Sequence, residues 1–160
     1  MDVTTVSDRS SWTAVCSGTG ARPSPDRLGT NTIRAQASNL REAHAMRRRI
    51  RSEAASQSRE ADEVGVLFDL DVLIAEDVHA ARRQYAALQF PAERRSLSYV
   101  GTPHGLAGLL ADMRAAHVAD GVVLLPLTTT TVDLVVDVTL PVLKEGGIDV
   151  EPSETDAAAH

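Results

Sequence analysis

Hydrophobic and polar positions follow an orderly alternation of helical and strand patterns between residues 38 and 147, and neither flank shows one. In LREAHAMRRRIRSEAASQ, Leu40, Ala43, Met46 or Arg47, and Ile50 form a narrow apolar stripe with arginines elsewhere. That spacing predicts a helix, with Ser38 or Asn39 as its cap. VGVLFDLDVLI follows, rich in β-branched and large apolar residues, and predicts a strand. EDVHAARRQYAALQ then predicts a helix with acid in its first turn and a stop at Pro91. SLSYV predicts a short strand. TPHGLAGLLADMRAAH predicts a helix with Thr102 as N-cap and Pro103 at its first position. GVVLL reads as a buried strand, and VDLVVDVTLPVLKE as a last helix ending at Gly146-Gly147. Pro141 inside that helix is expected to kink or break it.

Strands alternating with helices imply a parallel sheet flanked by helices. Successive strands tend to be neighbours, so residues 96–100 are expected between the strands at 64–74 and 122–125. Residues 1–37 are dominated by Ser, Thr, Gly, Pro and Asp, with no period of 2 or 3.6. They are expected to form an irregular or disordered arm, with at most one short strand around residues 12–16. Residues 148–160 are expected to be a flexible acidic tail.

Composition narrows the classes. The chain has 160 residues, 43% apolar and 24% charged, enough for one domain of ordinary size or half of a larger one. Its longest apolar run, residues 122–127, includes a proline and is too short to span a bilayer. The start, MDVTTVSDRS, has no basic region followed by an apolar stretch, so a cytoplasmic location is expected. Cys16 is the single cysteine, which excludes an internal disulfide framework and a cysteine-built metal site. A net charge of −6 and only 3% aromatic residues argue against nucleic-acid binding. Of the 16 basic residues only Lys144 is a lysine, so amine chemistry has one candidate.

Several motifs resemble the C-terminal part of the bacterial luciferase-like, flavin-dependent monooxygenases, particularly the nitrilotriacetate monooxygenase branch. They are Tyr99-Val100, Gly101-Thr102-Pro103, Leu106-Ala107, Leu109-Leu110, Ala119-Asp120-Gly121 with the apolar strand after it, and Pro141-Val142-Leu143. Upstream, the arginine-rich helix, the strand at 64–74 and the next helix extend the resemblance to residues 36–147. It implies a partial (β/α)8 TIM barrel of about three C-terminal β/α units with parallel strands. It also implies reduced FMN and O2 as reactants, and a separate flavin reductase as partner. Gly18 and Thr19, in the counterpart of the family's Gly-x-Ser loop, and Gly101 and Thr102 are the residues it implies for FMN. Gly105 stands where the family commonly has Glu, and Phe68-Asp69 where it often has Pro-Gly. The family's N-terminal half has no counterpart, so a truncated portion with little activity alone is expected. Self-association, or a partner supplying a complementary barrel half, is expected with it.

VLFDLDVLI also resembles the first motif of haloacid-dehalogenase-like phosphatases, which implies Asp69 as nucleophile and magnesium ligand and Asp71 as general acid. Val72 replaces the motif's glycine, and no paired acidic motif follows an apolar strand. The plainer reading is two carboxylates on one strand face. A non-catalytic interaction module is the third class. His79, His104 and His117 lack ligand spacing and are expected at the surface. Arg47, Arg48, Arg49 and Arg51 are expected on a solvated helix face, and Thr128 to Thr131 in a polar loop that caps a helix.

Overall fold

The computed structural model describes residues 12–16, 32–57, 64–89 and 96–152. Its centre is β3 (Gly65–Ile74), ten residues of which nine are buried. A near-continuous apolar run suits a parallel strand covered on both faces. All described pairings are parallel. β2 (Thr32–Ala35) lies beside the first half of β3, and β4 (Leu97–Gly101) lies beside its second half on the same path's edge. β5 (Gly121–Pro126) pairs with residues 67–72 of β3. β1 (Thr13–Cys16) pairs with β5, and β6 (Asp149–Pro152) pairs with β1. The result is α/β, a parallel sheet with helices.

The strand order corrects one expectation. β4 does not separate β3 from β5, because those two are direct neighbours and β4 pairs with β3 alone. Adjacency of successive strands is a tendency, and a long strand buried on both faces offers two good edges. The chain leaves β3 in one direction to reach β4, then crosses back over β3 to reach β5. Right-handed crossovers in opposite directions place their helices on opposite faces. The packing agrees. Val66, Phe68, Leu70, Val72 and Ile74 share a core with Ala43 of α1 (Leu40–Ser56), Leu106, Leu110 and Met113 of α3 (Pro103–Ala115), and Leu143 of α5 (Leu140–Glu145). Leu73, on the other face, packs with Ala81 and Tyr85 of α2 (Val78–Ala87).

Helix ends follow the local chemistry. Asn39 caps α1, its side chain accepting from Glu42 N at 2.8 Å, while the Glu42 carboxylate reaches back to Ser38 N at 2.9 Å. Asp77 caps α2, and the Ala80 N–H it accepts lowers its pKa. Thr102 caps α3, with Pro103 in the first turn. α3 stops with His117 in the left-handed region at φ 53°, and Val118 N donates to Met113 O at 3.1 Å. Gly147, at φ 80°, ends α5 in the same way, with Ile148 N donating to Leu143 O. Pro141 lies in the first turn of α5, where the α-helical pattern resumes after an interruption, so the expected break falls just ahead of it. Between α4 (Thr129–Leu134) and α5 runs a π-turn over Val135–Thr139, closed by Leu140 N on Val135 O. The wider turn accommodates a ring that would collide with the fourth preceding carbonyl in an α-helix.

β2 and β6 lie within stretches read from sequence as an arm and a tail, and β1 falls where a short strand was expected. Four-residue strands are too short to register as a period amid Ser, Gly and Pro. Residues 1–11 and 17–31, the tail after residue 152, and Pro91 lie outside the described residues.

Asp120 joins three elements. Its Oδ1 accepts from Arg47 Nη2 and Arg51 Nη2 of α1, both at 2.9 Å. Its Oδ2 accepts from Val66 N of β3 at 2.9 Å, and its own N donates to Val66 O at 2.9 Å. Arg47 also donates to His117 O at 3.2 Å. Arg48 and Arg49 are solvated as expected, whereas Arg47 and Arg51 are turned inward: positions four apart on a helix share a face, and a half-buried carboxylate waits there. Replacing Asp120 with Ala removes an acceptor shared by two guanidinium groups and a backbone donor. Asp120→Ala should lower stability by about 2–3 kcal/mol, and Arg48→Ala should change it little, both read from urea unfolding midpoints.

Candidate functional site

Two sets of groups stand out, a buried polar cluster in the middle of the sheet and the start of α3. Asp69 and Asp71 point to the same face of β3, with exposures of 3% and 4%. Asp69 Oδ1 pairs with Arg34 Nε of β2, and Gln36 Nε2 donates to its Oδ2 at 3.2 Å. Ser96 Oγ, just ahead of β4, donates to Asp71 Oδ2 at 2.6 Å. Each carboxylate is therefore held by polar side chains from a neighbouring segment. An attacking carboxylate must reach its substrate, yet Asp69 lies five residues before the end of β3, buried and ion-paired. The cluster fits two carboxylates on one strand face better than it fits phosphoryl transfer. Among the described residues, no group of three or more His, Cys, Asp or Glu side chains is placed to hold a metal ion.

The start of α3 carries Gly101 and Thr102. Thr102 Oγ1 accepts from Gly105 N at 3.1 Å, and Leu106 N donates to Thr102 O at 3.0 Å. Pro103 has no N–H to offer. Tyr99 lies across this turn: a Cβ at Gly101 would stand 2.5 Å from its hydroxyl oxygen, and one at Gly105 would overlap it. A side chain at 105 would require the Tyr99 phenol to move aside. Gly105 N and Leu106 N are committed to Thr102, and the Tyr99 phenol lies across the turn, which narrows the room for a phosphate group there.

At the C-terminal ends of β3 and β5, Thr128 caps α4 by accepting from Thr131 N, and donates to Thr131 Oγ1 at 2.9 Å. Thr131, fully buried, accepts from Ile74 N at 3.1 Å and donates to Ile74 O. These hydroxyls tie the loop to the sheet, as the capping reading expects. His79, His104 and His117 are all exposed, and His117 serves as the helix stop. Gly18 and Thr19 lie outside the described residues. Sequence reasoning missed Arg34, Gln36 and Ser96 as partners of the two carboxylates. A signal was present, since Arg34 near the end of β2 and Gln36 just past it are two apart and so share one face of the extended chain.

The fold defines part of a TIM barrel, a mostly parallel α/β sheet with helices, extended by short flanking strands. No protein-family model and no curated protein matches the sequence. Solved structures do match. Riboflavin lyase (RcaE), solved with modified FMN and riboflavin, has 16% identity and a TM-score of 0.64, over 74% of this chain and 39% of that one. EDTA monooxygenase (EmoA) from Chelativorans sp. BNC1 has 17% identity and a TM-score of 0.62, over 74% and 42%. Long-chain alkane monooxygenase (LadA) has 12% identity and a TM-score of 0.62, over 74% and 37%. These are luciferase-like flavin enzymes, the group that the Gly101-Thr102-Pro103 and Ala119-Asp120-Gly121 motifs resemble. The chain spans about two fifths of the length of the structures it matches. No helix among the described residues is long and apolar enough to cross a membrane.

Two measurements probe this region. Gly105→Ala should cost roughly 1–3 kcal/mol through overlap with the Tyr99 hydroxyl. In a Tyr99→Phe background most of that cost should vanish, read from thermal unfolding of the four variants. Cys16 is buried, and burial raises its pKa from 9.0 to about 11. Its thiolate is scarce at pH 8, so native protein should react with an aromatic disulfide reagent far more slowly than unfolded protein. A raised folded-state pKa also means that this group's contribution to stability is lost as pH rises from about 9 through about 11.

Proposed function

We propose that the chain is a C-terminal portion of a luciferase-like flavin-dependent monooxygenase, an oxidoreductase using reduced FMN and O2, with little activity by itself. The observation that carries this reading is the fold match to flavin enzymes over 74% of the chain, combined with coverage of only about two fifths of each of them. The ordered motifs between residues 99 and 143 support it. A chain of this size carries only part of a barrel, and a barrel's site is assembled from loops of all its strands. Weak flavin binding is therefore expected of the isolated chain, with Gly101 and Thr102 as candidates for FMN contact. Gly18 and Thr19 remain the other candidates for FMN contact. The complete enzyme would draw reduced FMN from a separate reductase in the cytoplasm.

The sheet supports a second element of the proposal. β2 and β4 on one side and β6 on the other are the outermost described strands, and parallel edges left open invite further pairing. Self-association, or docking of a chain supplying the complementary part of the barrel, follows. FMN fluorescence titration combined with light scattering tests both parts. The isolated chain should show no saturable binding at micromolar FMN, should form oligomers with rising concentration, and should gain FMN affinity with a complementary barrel portion. Tight binding by the monomeric chain would overturn the truncation reading. No gain with the complementary portion would overturn the flavin reading.

A further inference from the structure

One edge of β3 receives two strands end to end, β2 along residues 65–68 and β4 along residues 70–74. This arrangement poses a problem of register. Strand register is specified by the difference between a strand's two faces, and a parallel strand can slip by two residues without turning any side chain over. β3 offers little such difference, since GVLFDLDVLI is apolar on both faces apart from Asp69 and Asp71. Those two carboxylates are the polar marks along it, and both are on one face.

Each mark meets one incoming segment. Arg34 pairs in register with Leu67, so its bond to Asp69 reaches forward by one same-face step. Leu97 pairs with Leu70, which puts Ser96 at the level of Asp69, and its bond to Asp71 also reaches forward by one same-face step. Gln36, one position past the last β2 pair, stands at the level of Asp69 and donates to it. A two-residue slip that set Gln36 beside Leu67 would carry Arg34 away from Asp69 and cost a buried carboxylate its ion pair, whereas in β4 the same slip would only exchange Ser96 for Ser98.

We propose that Asp69 and Asp71 divide this edge of β3, Asp69 registering β2 through Arg34 and Gln36, and Asp71 anchoring the start of β4 through Ser96. The two carboxylates are positioning residues of the sheet, and their juxtaposition sets where one strand ends and the other begins. Buried polar pairs are best attested in this registry role.

Hydrogen exchange of the full chain, resolved to short peptides, tests the division. Asp69→Asn and Arg34→Gln should each raise the exchange of residues 32–35 by on the order of tenfold, leaving residues 97–101 near wild type. The double variant should exceed neither single one, because both remove the same bond. Ser96→Ala and Asp71→Asn should give the reverse pattern. Arg34→Lys, which keeps the charge and loses the planar fork, supplies a milder test and should show a smaller rise confined to the same residues. Unchanged exchange at residues 32–35 in Asp69→Asn would overturn the proposal. So would a rise of equal size in both strands, or one that spreads through residues 121–126.

Discussion

The contact on which the described sheet depends is Asp120. The residue sits just before β5, and its two oxygens reach in different directions, one toward α1 and one toward the backbone of β3. β3 and β5 share the longest parallel ladder in the sheet, and the Asp120–Val66 pair of bonds closes its N-terminal end. From there the sequence of dependence runs outward. α1 is fixed over the core face by its two arginines, β1 is joined through Trp12 Nε1 on Ala119 O at 2.9 Å, and α3 ends where His117 O meets Arg47. A half-buried carboxylate shared by two guanidinium groups and a backbone N–H is favourable because both of its oxygens accept hydrogen bonds, those on Oδ1 from charged donors.

The three strand–helix units were legible because their signals are long or doubled. β3 has ten residues of apolar chain, and Thr102-Pro103 and Gly146-Gly147 mark a helix start and a helix end by independent chemistry. β2 and β6 were not legible, since four residues give at most two turns of alternation. Their strand character comes from a neighbour's unsatisfied backbone more than from their own side chains. The strand order was illegible for a different reason. A tendency toward sequential neighbours cannot say which of two open edges a returning strand takes, and here α3 carries it across β3.

The polar cluster was half legible. Two acids in an apolar strand announce themselves, and their placement on one face follows from period 2. Their partners come from segments about 25 and 35 residues away, and no local pattern connects such positions. Gly105 shows the converse. As a departure from a family's habit it looks like a lost cap, whereas the phenol of Tyr99 occupies the space in which any side chain would begin.

The π-turn at Val135–Thr139 ties a length to an identity. Val135 and Leu140, five apart, are both buried in one core, as are Leu140 and Leu143, three apart. An uninterrupted α-helix would rotate residues five apart well away from each other. The wide turn absorbs one additional residue and keeps both ends of the helix facing the sheet, and the same widening leaves room for the ring of Pro141. Loss of one residue from this turn would restore ordinary α geometry and bring that ring against the carbonyl of Asp137. The wide turn and the proline are therefore a linked pair, each tolerable in the company of the other.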